Sequence, residues 1–347
     1  MDERKLATIR RIVAIEPIVG ADRIVLAIVD GWQSVVKKDE FKVGDLVVFA
    51  EIDSVLPFKP WSEFLRDKRS PDKVIRLKTC KLKGTLSQGV IFPLDIIDLE
   101  TFPLIVEEGL DVTEHLGIEK YNPQIPAHLA GKVKGNFPTH IFPKTDSERL
   151  QNLWHDKFKD EIQGVRFVSR VKADGTSFST FIHNGEVGVC SRNLMLDLTD
   201  EGNVYVEMFK KYNLEEMFKS LNRNLVIQAE VIGPGIQKNR LNVSEKQIQV
   251  FDIFDIDTHR YFDYHDLMLF CDCHKLPEVT TASDDFIFDK EKHDLDFFIK
   301  MTERQYNGTK QQIEGLVFTP FNERYSPSLR SRLRFKVINP NYLLENE

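Results

Sequence analysis

The sequence predicts an α+β protein in which a small barrel of short strands precedes a second domain of strands and helices. Short β-branched runs separated by turn dipeptides fill residues 1–117, and this pattern is typical of a small barrel. Residues 118–144 are rich in proline and glycine, which predicts a linker. From residue 145 onward, apolar strand-like runs are separated by stretches with helical spacing, so a second domain is predicted at 145–347.

The composition is that of a folded chain with more than one core. The 347 residues are 41% hydrophobic and 29% charged, which suits about two domains and argues against disorder. We see no apolar run of roughly 18 residues, as a membrane span requires, and no secretory signal at the N-terminus. Four cysteines in a chain of this length do not indicate a disulfide framework. We therefore expect an intracellular monomer without a membrane partner.

The net charge of −7 conceals two basic segments. Residues 73–83 contain five cationic side chains and no acid, and residues 324–336 show the same pattern. Such segments suit contact with a polyanion. The alternative is an ordinary solvated surface.

Turn residues separate the predicted strands of the first domain. Asp30-Gly31, Gly44-Asp45, Gly84 and Gly89 punctuate the apolar runs. A mixed apolar segment at 6–18 comes first, and strands are then predicted at 23–29, 32–36, 46–52, 74–82 and 90–94.

The second domain begins with a helix signal. Thr145 to Glu148 has the form of a capping box, and apolar residues follow at helical spacing to Phe158, so one short helix is predicted. Strands are predicted at 166–171, 177–183, 186–191, 225–232, 248–256, 314–319 and 333–338, with a hairpin turn at Asn184-Gly185. Helices are predicted at 205–221, 264–273 and 294–305.

Four charged residues, each next to or inside an apolar strand-like run, carry the chemistry of the chain. They are Lys172 in Lys-Ala-Asp-Gly, Glu230, Glu314 and Lys336. A lysine that can form a phosphoramidate, two carboxylates for a divalent cation and a second lysine for phosphate would together make a nucleotidyl-transfer site. Each residue also has an ordinary interpretation as a turn, a strand edge or a solvated lysine. Charges among Val, Ile and Phe need partners, however, and here the partners would be one another.

A lysine attacks phosphorus only as the neutral amine, whereas its ordinary pKa is about 10.4. Burial and a nearby cation both lower that pKa. We expect Asp174, Glu230 and Glu314 to hold Mg2+ or Mn2+, which would supply the cation. Lys336 and Arg334 would neutralise the charge that develops on the α-phosphate.

This set of residues resembles the covalent nucleotidyltransferase superfamily, which contains DNA ligases, RNA ligases and capping enzymes. Lys172, Glu230, Glu314 and Lys336 fall on its motifs I, III, IV and V. The resemblance implies that Arg192, in a sequence similar to motif Ia, is an ATP-binding residue that contacts the ribose or the surroundings of the nucleophile. It also implies that Phe251 in motif IIIa stacks on the purine, with Phe254 as the competing candidate.

The order of the domains indicates the branch of the superfamily. Residues 20–31 and 84–89 resemble tRNA-binding OB domains, and only 11 residues follow Lys336, where DNA ligases and capping enzymes carry an OB domain. Together with residues 143–152, this order is similar to the nick-sealing RNA ligase family with an N-terminal OB domain. The implied fold is an OB-fold barrel followed by an antiparallel-sheet nucleotidyltransferase domain of the ATP-grasp-like ligase type.

The resemblance implies a three-step reaction. Lys172 takes AMP from ATP, AMP passes to a 5′-phosphate end, and a 3′-hydroxyl then attacks and expels AMP. The implied partner is a nicked duplex with an RNA 3′-OH strand. Val171 would offer main-chain contacts to adenine. Arg149 would reach the ATP phosphates, unless it is an ordinary helix-surface arginine.

Two other functions remain open at this point. One is a GTP-dependent capping-type guanylyltransferase, against which the missing C-terminal domain counts. The other is a non-catalytic RNA-binding protein built on an OB domain. Cys271 to His274 is interpreted as a helix end rather than a zinc site, because no second ligand pair stands at a suitable spacing.

Overall fold

The computed structural model describes residues 5–67, 73–98, 104–121 and 132–346. The chain separates into two compact units. The first comprises residues 1–123, 151–155 and 343–347, and the second comprises residues 124–150 and 156–342. Among the described residues, no helix is both long and apolar enough to cross a membrane.

The first unit contains short strands. They are β1 Ala7–Pro17, β2 Ile24–Val29, β3 Trp32–Lys37, β4 Leu46–Ala50, β5 Ser54–Leu56, β6 Ile75–Arg76, β7 Cys80–Leu82, β8 Thr85–Ser87, β9 Val90–Phe92 and β10 Glu119–Lys120. Two 3-10 helices lie at Glu63–Leu65 and Leu94–Ile96.

Five of these strands form an antiparallel sheet in the order β3-β2-β1-β4-β9, which curls into a nearly closed barrel. The Ser34 hydroxyl on β3 donates to the Gln88 carbonyl just before β9, at 2.9 Å, and so links the two edge strands. Alternate residues such as Ile9, Val48 and Phe92 are buried in the barrel core, as the period-2 pattern of a strand with one buried face requires.

The second unit is also rich in sheet. Its strands are β11 Val133–Asn136, β12 Glu148–Arg149, β13 Arg166–Val171, β14 Thr176–His183, β15 Glu186–Cys190, β16 Leu194–Leu196, β17 Leu225–Ile232, β18 Gln247–Asp255, β19 Arg260–Tyr261, β20 Thr281–Ile287, β21 Gly315–Pro320, β22 Tyr325–Ser326, β23 Ser331–Arg332 and β24 Phe335–Ile338. The helices of the described chain are α1 Leu150–Leu153, α2 Asp156–Ile162, α3 Val204–Lys211, α4 Leu214–Leu221, α5 Tyr264–His274, α6 Leu295–Met301 and α7 Pro340–Asn346.

Two sheets of the second unit position the polar residues. The larger has the order β11-β16-β15-β14-β17-β18-β19, and the smaller has the order β12-β24-β21-β13-β20. All pairings are antiparallel except that of β12 with β24. In the smaller sheet Phe318 and Phe335 stack on one face with ring centroids 5.1 Å apart, which leaves the alternate residues for the opposite face. The predicted order of a barrel followed by an antiparallel-sheet domain is confirmed.

Several predicted elements differ from the structure. The single helix predicted after Thr145 is instead strand β12 followed by two short helices, so Glu148 does not lie in a helical first turn. The helix predicted over 205–221 is two helices, separated at Asn213, which has φ 49°. Val133–Asn136 inside the predicted linker forms β11 and pairs with β16. Pro123, Pro126 and Gly131 of that linker lie outside the described residues.

Candidate active site

The predicted nucleophile is in direct contact with one predicted carboxylate. Val171 at the end of β13 pairs with Leu316 on β21. The next peptide continues this register, because the Lys172 N–H donates to the Gly315 carbonyl at 2.9 Å. This register places the Lys172 amine 2.8 Å from each oxygen of Glu314. Two motifs separated by more than a hundred residues therefore meet as one ion pair.

The ion pair sets the protonation state of Lys172. Burial alone would lower the lysine pKa, but attraction by Glu314 and Glu230 outweighs burial, so the pKa of Lys172 is raised. The sequence-based expectation of a lowered pKa is therefore not met by the protein residues alone. The expected lowering depended on a cation, and the carboxylates by themselves favour the charged ammonium.

Burial and a neighbouring negative charge disfavour the anionic form of the other two predicted metal ligands, Glu230 and Asp174. Burial, and then repulsion by Glu314, raise the pKa of Glu230 to about 8, although Lys172 opposes this. Burial and Glu314 also raise the pKa of Asp174, whose Oδ2 lies 3.3 Å from Arg240 Nε. Each carboxylate would be stabilised as the anion by additional positive charge nearby.

Residues 5–67, 73–98, 104–121 and 132–346 contain no group of three or more His, Cys, Asp or Glu side chains arranged to hold a metal ion. The donor chemistry nevertheless fits a hard divalent cation, because acidic oxygens are the ligands it prefers and two of these carboxylates have raised pKa values. Asp174, Glu230 and Glu314 as a metal-binding set remain a prediction.

Gly175 and Gly315 lie at positions where the backbone of a neighbouring strand leaves no room for a side chain. A Cβ on Gly175 would lie 2.2 Å from the Val231 carbonyl oxygen and 2.8 Å from Glu230 Cγ. A Cβ on Gly315 would lie 2.2 Å from the Val337 carbonyl oxygen. Only glycine allows these backbones to approach so closely. Gly175 thus allows the chain after Asp174 to lie against β17, which carries Glu230, and Gly315 allows the chain after Glu314 to lie against β24, which carries Lys336.

The predicted phosphate-binding residues share one row of the smaller sheet. Lys336 on β24 pairs with Arg149 on β12 and with Val317 on β21, and Val317 pairs with Arg170 on β13. Paired residues project to the same face, and that face also carries Lys172 two residues beyond Arg170. Arg149 is only 5% exposed and lies on a strand, so its interpretation as a helix-surface residue is wrong.

One layer further from Lys172, Arg334 lies in a buried ionic cluster. Its guanidinium donates to Asp252 on β18, and Arg332 Nη1 lies 3.0 Å from the same Asp252 oxygen. Arg170 Nη2 is 3.8 Å from the other Asp252 oxygen, and Arg332 also pairs with Glu323. Burial would raise the pKa of Asp252, but the arginines outweigh burial and hold that pKa below its ordinary value.

The nucleotide-contact candidates lie in different settings. Phe251 is half-buried beside Ala173 and has the Arg334 guanidinium 5.4 Å from its ring centroid, whereas Phe254 is 2% exposed in a hydrophobic core. Arg192 Nη2 donates to Asp146 at 2.7 Å on the surface. The Val171 N–H donates to the Thr280 carbonyl at 2.8 Å.

Three residues around the ion pair were not predicted. The Tyr306 hydroxyl donates to the Lys172 carbonyl at 3.2 Å and accepts from the Glu314 N–H at 3.4 Å, so it links the two strand ends. Arg240 pairs with Asp174, and its guanidinium lies 5.0 Å from the Tyr342 ring centroid. These residues lie in loops or at a helix start, where no periodic pattern or motif marks them.

A partly buried lysine, three nearby acidic residues and a basic sheet face are the arrangement that a nucleotidyl-transfer enzyme requires. A family model described as RNA ligase matches residues 165–338, and one described as an OB-fold domain matches residues 6–94. A comparison with curated protein sequences gave no match.

Solved structures resemble the whole chain. The Naegleria gruberi RNA ligase with PPi is 34% identical with a TM-score of 0.87, and the match covers 99% of each chain. An apo variant of that ligase is 33% identical with a TM-score of 0.88, covering 100% of this chain and 99% of that one. A variant with ATP and Mn is 33% identical with a TM-score of 0.85, covering 98% and 97%. The chain belongs to the RNA ligase family and carries an N-terminal OB-fold domain, so the predicted family is confirmed.

Proposed function

We propose that this RNA ligase uses ATP to adenylylate Lys172 and seals nicks in duplexes whose 3′-OH end is RNA. One observation carries the assignment of the nucleophile: the Lys172 amine lies 2.8 Å from both oxygens of Glu314, and the charges of Glu230 and Asp174 also act on it. The similar Naegleria ligase has been solved with ATP and Mn, with AMP and Mn, and with PPi, which supports ATP as the nucleotide and a divalent metal as the cofactor.

The first step requires Lys172 to leave Glu314. The ammonium gives up one proton to solvent, and its nitrogen bonds to the α-phosphorus of ATP as the bond from that phosphorus to the bridging β-phosphate oxygen breaks. The nitrogen then releases a second proton to solvent. Pyrophosphate leaves opposite the lysine, and a lysyl-AMP phosphoramidate remains. Asp174, Glu230 and Glu314 would hold Mg2+ or Mn2+, whose positive charge lowers the lysine pKa and neutralises phosphate charge.

The basic face of the smaller sheet is suited to the triphosphate. Lys336 and Arg149 share a row on the face that carries Lys172, so their charges would oppose the negative charge that grows during transfer. Arg334 would act beside them, held by Asp252. Phe251 is the candidate for purine stacking, which is worth roughly 1–3 kcal/mol for a base on an aromatic ring. Val171 and Arg192 would complete the nucleotide contacts.

The later steps use the same site. The AMP moves from Lys172 to the 5′-phosphate of the nick, which releases the lysine. The RNA 3′-hydroxyl then attacks that phosphate, a phosphodiester bond forms, and AMP leaves. Residues 1–117 would hold the duplex, residues 145–347 would carry out the transfer, and the enzyme would act as a monomer.

Lys172→Ala tests the nucleophile. Incubated with ATP labelled on the α-phosphate, the wild type should retain covalent label and Lys172→Ala should retain none, because only the amine can form the phosphoramidate. Lys210→Ala, which removes an exposed lysine, should label like the wild type. Label on Lys172→Ala would refute the assignment, and an unlabelled wild type would favour a non-catalytic RNA-binding protein. Labelling by GTP but not ATP would favour a capping-type enzyme.

The nick preference needs a separate assay. Duplexes with RNA or DNA placed independently on each side of the nick should be sealed when the 3′-OH strand is RNA. Equal sealing of a DNA 3′-OH strand would remove the proposed RNA preference without affecting the adenylation step.

A further inference from the structure

We infer that the loop before Glu314 is a positioning element for the adenylation step, and that Tyr306 is its central positioning residue. This positioning loop comprises residues 304–313, between α6 and β21. Its role is to hold Lys172 in place relative to Glu314 and Asp174. The inference rests on the proposed function and deepens it, because it assigns residues that act through the nucleophile and the predicted metal ligands.

The first arm of the positioning loop is the Tyr306 hydroxyl. It donates to the Lys172 carbonyl at 3.2 Å and accepts from the Glu314 N–H at 3.4 Å. Tyr306 is 6% exposed, and burial followed by repulsion from Glu314 raises the pKa of its hydroxyl. The hydroxyl therefore stays protonated at neutral pH and can donate. One oxygen atom thus fixes the backbone of the nucleophile relative to that of the carboxylate with which it pairs.

The second arm of the positioning loop reaches Asp174 through an arginine. Gln311 Oε1 accepts from Arg240 Nη1 at 3.1 Å, and Arg240 Nε lies 3.3 Å from Asp174 Oδ2. Arg240 is 5% exposed and its guanidinium lies 5.0 Å from the Tyr342 ring centroid, so it has little freedom to reorient. Groups that contact a metal's ligands orient those ligands. The positioning loop therefore acts on a predicted metal ligand as well as on the nucleophile.

Internal hydrogen bonds make the positioning loop stiff enough for this role. The Ile313 N–H donates to the Arg304 carbonyl at 3.0 Å, which closes the loop at its base. The Tyr306 N–H donates to the Gln311 carbonyl at 3.0 Å, so the residues of the two arms are tied directly to each other. The Thr309 hydroxyl also donates to the Tyr306 carbonyl at 3.0 Å. A shift of about 1 Å in a reacting group can cost about a hundredfold in rate, so a closed loop is suited to holding a nucleophile.

The test is Tyr306→Phe in the full chain, which keeps the ring and removes only the hydroxyl. Its matched control is Tyr264→Phe, which removes the hydroxyl of a half-buried tyrosine that lies 3.1 Å from Thr281 Oγ1. Gln311→Ala removes the second arm at an exposed residue, so it tests the loop even if Tyr306→Phe fails to fold. Gln305→Ala, at another exposed glutamine of the same loop, is the control for that variant.

Single-turnover formation of lysyl-AMP is measured against ATP concentration in the presence of Mn2+. Tyr306→Phe should form lysyl-AMP about 10- to 100-fold more slowly at saturating ATP, with the half-saturating ATP concentration unchanged. Gln311→Ala should also be slower, by roughly tenfold. Both controls should react like the wild type.

A second measurement needs no nucleotide. Amide hydrogen exchange, followed by mass spectrometry, should be faster in Tyr306→Phe for the peptide that contains Glu314, because the Glu314 N–H loses its acceptor. Exchange in the rest of the second unit should match that of the wild type. Tyr264→Phe should leave the Glu314 peptide as protected as it is in the wild type.

Wild-type rates in both Tyr306→Phe and Gln311→Ala would overturn the inference and leave the proposed function intact. An unchanged rate at saturating ATP with a raised half-saturating concentration would also overturn it, and would assign Tyr306 to nucleotide binding. Faster exchange throughout the second unit of Tyr306→Phe would show that the hydroxyl serves stability alone, which again contradicts the inference. Failure of the wild type to form lysyl-AMP would refute the proposed function instead.

Discussion

At the scale of single residues, the contact between Lys172 and Glu314 gives the resting site its chemistry. A protonated lysine has no lone pair for phosphorus, so the pair that the fold forms is not yet the reactive state. The same carboxylate that raises the lysine pKa is a predicted metal ligand. Cation binding and release of the lysine proton are therefore expected to be linked.

Glu314→Gln should lower the pKa of Lys172 in the metal-free enzyme, because the substitution removes the anion that contributes most to raising it. The check is the pH dependence of Lys172 modification by an amine-specific reagent, followed by mass spectrometry of the peptide. The labelling midpoint should fall to lower pH than in the wild type. Glu215→Gln, beside the exposed Lys219, serves as the control. An unchanged midpoint would show that Glu314 does not govern the lysine.

Gly175→Ala should displace Glu230 and reduce lysyl-AMP formation by roughly tenfold or more, since each tenfold corresponds to about 1.4 kcal/mol of lost transition-state stabilisation. The added Cβ would meet the Val231 carbonyl oxygen at 2.2 Å, and backbone cannot move away as a flexible side chain could. Single-turnover adenylation measures the effect. Gly202→Ala, where a Cβ meets nothing within 4 Å, should retain activity. Normal adenylation by Gly175→Ala would show that the strands can separate without cost.

The ion pair could be predicted from sequence, but its surroundings could not. Lys172 and Glu314 stood out because they follow or precede apolar runs, and a charge in that position needs a partner. Arg240 and Tyr306 reach the site from loops, so only tertiary structure brings them there. The raised pKa of Lys172 was missed because the sequence argument assumed a bound cation.

At the scale of elements, the charged side chains inside the second unit form two adjacent groups. Lys172, Glu314 and Glu230 form one layer, and Asp252 with its arginines forms the next. The strands deliver these layers because residues two apart share a face. Asp252 therefore ties β18 of the larger sheet to the smaller sheet through Arg170 and Arg334.

Asp252→Asn should lower the free energy of unfolding by about 3–5 kcal/mol, because breaking a buried ion pair leaves charges uncompensated. Urea denaturation of the purified chain measures the effect. Asp160→Asn, which removes a carboxylate from a surface pair with Lys290, should change stability little. A loss as small as that of the control would show that water reaches the arginines.

The stabilisation from Asp252 should depend on pH. The arginines hold its folded-state pKa below the ordinary value, so its contribution is present above the unfolded pKa of about 3.9 and is lost as pH falls through the folded value. The difference in stability between the wild type and Asp252→Asn should thus be constant near neutral pH and shrink below about pH 4. A difference that does not change with pH would exclude this charge effect.

The sequence predicts strands that contain recurring apolar residues, but it does not reveal strands made mostly of polar residues. The predicted strands 166–171 and 225–232 match their observed ends because apolar residues recur along both. Strand β20, Thr281–Ile287, was missed because it is a polar edge strand. Residues 145–148 have the form of a capping box, but pairing with β24 makes Glu148–Arg149 a strand. Tertiary contacts outweigh local propensity here.

At the scale of the whole molecule, the first unit is assembled from distant parts of the sequence. Residues 151–155 and 343–347 belong to it together with the barrel. Asn152 accepts a hydrogen bond from the Trp32 indole N–H at 2.5 Å and donates to Glu51 Oε1 at 2.7 Å. Trp32 and Glu51 are each only 1% exposed, so this amide serves two buried polar groups.

Asn152→Ala should lower the free energy of unfolding by about 1–3 kcal/mol, because it leaves a buried donor and a buried acceptor without this partner. Thermal denaturation monitored by tryptophan fluorescence would report on Trp32 among the chain's three tryptophans. Asn136→Ala, at an exposed position of β11, provides the comparison. If the two variants lose equal stability, the hydrogen bonds of Asn152 to Trp32 and Glu51 make no specific contribution to stability.

The membership of residues 343–347 in the first unit has a consequence for biosynthesis. Domains usually fold as units during translation, the N-terminal one first. Here the ribosome must translate past residue 343 before the barrel's unit has all its parts. The nascent barrel therefore remains incompletely packed while the second unit is being translated.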